Sequence, residues 1–181
     1  MRTLLGMALS AATMAAQAQS QGAPAAPAVE VHRVSSAPAV PGSNENFTGV
    51  ARITVPFQLQ APGRAGGATV SFEPRARTAW HTHPLGQTLI VTAGLGLVQQ
   101  QGQPARVIRP GDVVTIPPNV RHWHGAGPDD AMTHVAIAER DDGISVSWLE
   151  RVSEEDYRAA LAGAGLAVDG RATRSVTPRA R

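Results

Sequence analysis

The chain predicts an all-β domain, a sandwich or barrel, with one short helix near its C-terminus. Three observations carry that prediction. From about Phe47 to Glu150, short runs rich in Val, Ile and Thr follow one another at close intervals. Gly and Pro stand between the runs, as in "QQGQP" and "RPGD". After the last run comes the one helical signature, "SEEDYRAALAGAGLA".

Composition sets the limits. The 181 residues suffice for one ordinary domain with a core. Apolar residues are 43% of the chain and aromatics 4%, so Val, Ile, Leu and Ala must fill that core. The absence of cysteine excludes disulfides, a thiolate nucleophile and thiolate metal ligands. The formal charge is +2, and every cation is arginine, with several in the terminal "RATRSVTPRAR". Residues 46–150 are near charge balance, which argues against nucleic-acid binding.

The elements follow in order. Residues 1–18, "MRTLLGMALSAATMAAQA", have one early Arg, an apolar stretch from Leu4 to Ala16 and a small-residue cleavage site. They read as a cleaved signal peptide, which predicts export to the periplasm and no membrane attachment of the mature chain. Residues 19–45 are rich in Ala and Pro and read as a flexible tether that contains His32, with a candidate strand at 29–34. Residues 46–152 form the β domain. "GVARITV", "GATVSFE", "TAWHTH", "QTLIVTAGLGLVQ", "ARVIRPGD", "VVTIP", "HWHG", "MTHVAIAE" and "ISVSWLE" are its candidate strands. "QQGQP" predicts a hairpin in which Gly102 takes the backbone angle other residues avoid. Residues 153–165 predict the helix. Ser153 caps it, three acids complement its N-terminal dipole, and Gly163 and Gly165 stop it. Residues 166–181 are an expected disordered tail.

The chemistry concentrates in histidine. Five of six histidines fall in the β domain, four of them as the pairs His81/His83 and His122/His124. Residues two apart on a strand share a face, so each pair can present two imidazoles to one divalent ion. His134 shares its strand face with Ala136 and Ala138, which predicts a side chain pointing into a cavity. A neutral imidazole there can act as a base, or can orient another group. Trp80, Trp123 and Trp148 read as core or rim packing rather than substrate platforms, and Arg77 as a solvated turn residue in preference to a partner for an anionic group. Asp129, Asp130, Asp141 and Asp142 read as turn residues rather than calcium ligands.

Two segments resemble the motifs of the cupins. "RARTAWHTHPLGQTLIVTAG" matches the first motif at His81, His83 and Gly94, with Gln87 at the usual glutamate and Arg75 at the usual first glycine. "GDVVTIPPNVRHWHGA" matches the second at Gly111, Pro117 and His122, with Asn119 for Gly and Ala126 for Asn. The resemblance covers residues 46–150. It implies a double-stranded β-helix, the jelly-roll barrel, and a homodimer or homotetramer. It also implies a metal held by His81, His83, Gln87 and His122. Such a set is neutral, so a divalent ion keeps its charge there. Gln87 could instead hydrogen-bond a ligand ring. One amide oxygen with three imidazoles suits six-coordinate Mn²⁺ or Fe²⁺ better than Ni²⁺ or Zn²⁺.

Within the cupins, "ATVSFEPRARTAWHTHPLGQTLIVTAG", "PGDVV", "HWHGA" and "AMTHVAIAER" are similar to the small bacterial manganese-dependent hydroxynitrile lyases. That resemblance implies cleavage of a small cyanohydrin such as (R)-mandelonitrile. It places His124 and His134 near the substrate as catalytic groups, and Ala68, Val70 and Ala138 in the pocket wall. The alternatives are a cupin dioxygenase or decarboxylase acting on a small aromatic or keto acid, and a ligand-binding cupin without catalysis.

Overall fold

A computed structural model describes residues 38–167, together with Ala28, Val29 and Val31. The expected signal peptide, most of the tether with His32, and residues 168–181 lie outside the described residues, as does the candidate strand at 29–34 except for Val29 and Val31, which are not in a strand.

The described chain is two facing antiparallel sheets and one helix. The strands are β1 (Val40–Pro41), β2 (Phe47–Thr48), β3 (Ala51–Gln58), β4 (Ala65–Phe72), β5 (Arg77–Thr78), β6 (His81–Thr82) and β7 (Gln87–Gly94). They continue as β8 (Gly96–Gln100), β9 (Arg106–Ile108), β10 (Val113–Ile116), β11 (His122–Ala126), β12 (Met132–Glu139) and β13 (Ser147–Trp148). The first sheet runs β1-β3-β4-β12-β7-β10. In the second, β11 lies between β8 on one edge and β5 and β6 on the other, with β9, β2 and β13 outermost. This is the expected jelly-roll architecture. β1 pairs with β3, so Val40 and Pro41 join the first sheet.

Residues at paired positions point to the same side of a sheet, so register defines the interior. Along β12 the inward residues are Met132, His134, Ala136 and Ala138. Beside them β4 presents Phe72, Val70, Ala68 and Gly66, and β7 presents Val91, Leu89 and Gln87. A bulge between Thr133 and His134 sets this register against β7. Inward side chains on β4 and β12 thus shrink from one end of the barrel to the other. The large end packs as a core of Phe47, Phe72, Val91, Ile108 and Met132. The small end stays open. Sequence alone supplies this taper, and the pairing turns it into a cavity.

The outer face of the second sheet is covered by helix α1 (Glu154–Gly163), as expected. Ser153 caps it, accepting from the Asp156 N–H at 2.9 Å. Tyr157, Ala160 and Leu161 bury against Leu97, Trp123 and Val152. Each such large apolar side chain contributes about 1.5–3 kcal/mol.

Three backbone positions explain motif residues. Gly94 has φ +76°, and a Cβ there would lie 1.8 Å from the Ala131 carbonyl oxygen. Arg75 and Asn119 stand where the motifs carry glycine, and both keep positive φ, 69° and 59°. Asn tolerates that region readily; Arg does not, at a cost of about 1 kcal/mol. The Arg75 N–H donates to Gly127 O at 2.8 Å, and its guanidinium pairs with Glu154 at 2.9 Å.

Arg77 corrects the preferred expectation of a solvated turn residue and follows the alternative, a partner for an anionic group. It is 3% exposed, donates to Val152 O and Arg75 O, pairs with Glu154, and lies 4.4 Å over the Tyr157 ring. A lone arginine between a turn and a histidine pair gave no signal that a helix nearly eighty residues away would cover it.

Candidate metal centre and cavity

The two histidine pairs meet because β6 and β11 are neighbours. His81 and His122 occupy directly paired positions, and their ring centroids are 4.2 Å apart. His83 lies one residue beyond β6, with its ring 5.2 Å from that of His81. One ring nitrogen each from His81, His83 and His122 lies within 4.8 Å of the other two, a group that can hold a metal ion. Gln87 reaches the same place from the facing sheet, with Oε1 at 3.2 Å from His122 Nε2.

Whether these residues fit a cation is decided by their protons. Nδ1 of His81 faces Ala79 O at 3.0 Å, Nδ1 of His122 faces Val120 O at 2.8 Å, and Nδ1 of His83 faces Ser145 O. A carbonyl only accepts, so each Nδ1 carries the hydrogen and donates it. Nε2 is then the bare nitrogen of each ring. The rings are neutral. Burial lowers all three pKa values, that of His122 to about 4; His122 itself adds to the lowering at His81. A neutral His122 has one N–H but meets an oxygen at both nitrogens. Two acceptors 3.2 Å apart repel unless a cation faces both or the Gln87 amide turns its N–H inward. His83 Nε2 is buried without any partner. Buried lone pairs that converge without donors are the signature of a cation site.

His124 and His134 lie beside this group. His124 projects from β11 on the same face as His122, and its backbone N–H donates to Thr78 Oγ1 at 3.2 Å. Its Nδ1 is 3.1 Å from His134 Nε2, so the two rings share one hydrogen. His124 Nε2 and His134 Nδ1 have no partner. Burial holds both rings neutral, with His134 lowered to about 4 and His124 lowered further by the neighbouring His134. Phe72 packs against both, at 5.5 and 5.9 Å between centroids, and closes the site toward the core.

The open end of the barrel is a cavity of about 300 Å³, large enough for a small aromatic molecule. Its lining includes eight of the nine residues singled out from sequence: Ala68, Val70, His81, His83, Gln87, His124, His134 and Ala138. The ninth, His122, instead lines a larger cavity of about 440 Å³ between β8, β9 and β10, which reaches none of the others. The smaller cavity therefore holds the chemistry. Sequence reading missed Phe57, Thr78, Arg140 and Ser145, which also line it. Arg140 had a usable signal, since it continues the alternation of His134, Ala136 and Ala138. Ser145 had none, because it acts through its carbonyl. Trp148, read as packing, forms part of the cavity wall, with its ring 4.8 Å from that of His81.

Comparison with known proteins agrees with this geometry. Residues 68–137 match the Cupin domain family. An (R)-mandelonitrile lyase from Granulicella tundricola is 55% identical over 130 residues, 72% of this chain and 99% of that protein. A cupin-like protein from Thermotoga maritima, solved by crystallography, is 46% identical with a TM-score of 0.62, covering 66% of this chain and 91% of its own. A cupin 2 conserved barrel domain protein from Rhodopseudomonas palustris shares the fold at 13% identity, with a TM-score of 0.53 over 67% of this chain and 81% of its own. With its barrel, its two histidine motifs and these relatives, the chain belongs to the cupin family.

Proposed function

We propose that this protein is a metal-dependent carbon–carbon lyase that cleaves and forms small aromatic cyanohydrins, (R)-mandelonitrile among them. One observation carries the reading: three of the four converging neutral donors, His81, His83 and Gln87, line the same small cavity as a neutral, hydrogen-bonded histidine pair. The 55% identity to a protein named (R)-mandelonitrile lyase supports the choice of reaction.

His81, His83 and His122 would hold the ion, with Gln87 as fourth donor, and Mn²⁺ or Fe²⁺ suits that set. A divalent ion there supplies Lewis acidity toward a substrate hydroxyl, undiminished because no donor carries charge. The chain's own residues do the rest. The aryl ring lies against Ala68, Val70 and Ala138. The His124–His134 pair accepts the hydroxyl proton. The C–C electron pair leaves with cyanide, the carbonyl forms, and the protonated pair returns its proton to cyanide. No electron is transferred to or from the protein, so the reaction balances as cyanohydrin to aldehyde plus hydrogen cyanide. Export to the periplasm with signal-peptide cleavage, and assembly as a homodimer or homotetramer, belong to the same proposal.

The test is cyanide release from racemic mandelonitrile by protein stripped of metal and then reloaded with Mn²⁺, Fe²⁺ or Zn²⁺. Activity should return with Mn²⁺ or Fe²⁺, and His134→Gln should lower kcat by about 10²-fold while retaining metal. Full activity in the stripped protein, or in His134→Gln, would reject the mechanism.

A further inference from the structure

We propose that the natural substrate carries a negative group at the end remote from its reacting carbon, and that Arg140 binds it at the cavity mouth. The choice of probes below rests on the lyase reading; the choice of charge rests on the cavity.

No aspartate or glutamate is among the residues lining the cavity, and Arg140 is its one arginine. Arg140 forms no ion pair among the described residues, whereas the nearby Arg64 pairs with Glu139 at 3.0 Å. Its backbone is fixed, since its N–H donates to Arg64 O at 3.1 Å. Its place follows from register. Ala138 pairs with Gln87, and Arg140 lies two residues further toward the mouth, about 7 Å along the strand direction. That offset is close to the length of one para-substituted ring. Between donors and arginine the wall is Gly66, Gly67, Ala138 and Phe57, small or aromatic throughout. An ion among neutral donors would make the inner end positive, and Arg140 sets a guanidinium on the cavity wall at the mouth, while its acidic chain neighbours Glu139, Asp141 and Asp142 do not line the cavity. Unsubstituted mandelonitrile uses only the first. A carboxylate on the far side of the ring uses both, and a charge-assisted hydrogen bond to a guanidinium corresponds to a preference on the order of 10- to 100-fold.

The experiment uses the full chain loaded with metal. Two readouts are taken in wild type, Arg140→Gln and the control Arg52→Gln. Arg52 is exposed on β3 and does not line the cavity. The first readout is kcat/KM for cyanide addition to 4-carboxybenzaldehyde against benzaldehyde. The second is calorimetric binding of 4-(hydroxymethyl)benzoate against benzyl alcohol. The carboxylated compound should be preferred at least 10-fold in both, the preference should fall to near unity in Arg140→Gln, and it should persist in Arg52→Gln. Equal binding of the two alcohols in wild type overturns the proposal. So does a preference that survives Arg140→Gln, because the carboxylate is then held by the metal. If neither aldehyde reacts but the Arg140-dependent binding preference is present, the lyase reading falls and this proposal stands. If both aldehydes react equally well and the two alcohols bind without preference, the lyase reading stands and this proposal falls.

Discussion

Two buried polar clusters in this molecule have opposite accounts. Under helix α1, Arg77 is buried in a ring of partners: two carbonyls, the Glu154 carboxylate and the face of Tyr157. Tyr157 in turn donates to Ala126 O at 2.9 Å, and burial lifts its pKa to about 12 against the pull of Arg77. Only the Arg77 Nε lacks a partner. Inside the barrel, by contrast, His83 Nε2, His124 Nε2 and His134 Nδ1 are all orphaned, and His122 faces an acceptor at each nitrogen. A cluster that satisfies itself stabilises the fold. One that leaves polar atoms unpartnered carries a cost, and is the place where a bound group would complete it.

The contrast can be broken most forcefully at His122. His122→Ala should reduce bound metal from near one ion per chain to a small fraction and lower cyanide release by about 10³-fold or more, checked by elemental analysis and by assay. Unchanged ion content would mean the convergent nitrogens are not a site.

The next largest effect is of pH on the metal-free protein. The ordinary histidine value is 6.5, and burial lowers His122 and His134 to about 4 in the folded state. Between those values the unfolded chain binds more protons than the folded one. Stability is therefore full above about pH 6.5 and falls as pH drops toward 4. At pH 5 the loss is about 2 kcal/mol for each such ring. Calorimetric melting of chelator-treated protein at pH 7 and pH 5 measures it, and equal melting temperatures would contradict the burial argument.

Arg77→Met sharpens the other side. It strips Val152 O of a buried donor and should cost about 2–3 kcal/mol in denaturant unfolding, with metal content and cyanide release unaltered. A loss of metal would mean the clusters are coupled through the β5–β11 pairing. The smallest effect is at the helix cap. Ser153→Ala should cost about 1 kcal/mol, or 2–4 °C in melting temperature, without touching the cavity.

Much of the site was legible because strand alternation is local. His81/His83, His122/His124 and the face shared by His134, Ala136 and Ala138 need only the two-residue period of a strand. The helix was equally legible, since its cap, its acids and its terminal glycines lie within a dozen residues. What escaped notice was contributed across distance: the Ser145 carbonyl on His83, the Thr78 hydroxyl on His124, Trp148 as cavity wall, and Arg77 beneath a helix that follows it by nearly eighty residues.

By itself the sequence determined the all-β class, the inward faces and the residues able to carry metal chemistry, because backbone sterics and side-chain chemistry act over a few residues. Only the tertiary structure decided that His81 pairs with His122 and that Gln87 meets them from the opposite sheet. It alone placed the small residues around an open barrel end with Arg140 at its rim. Those outcomes depend on which strands become neighbours, and strand pairing joins segments separated by tens of residues that carry no local mark of one another.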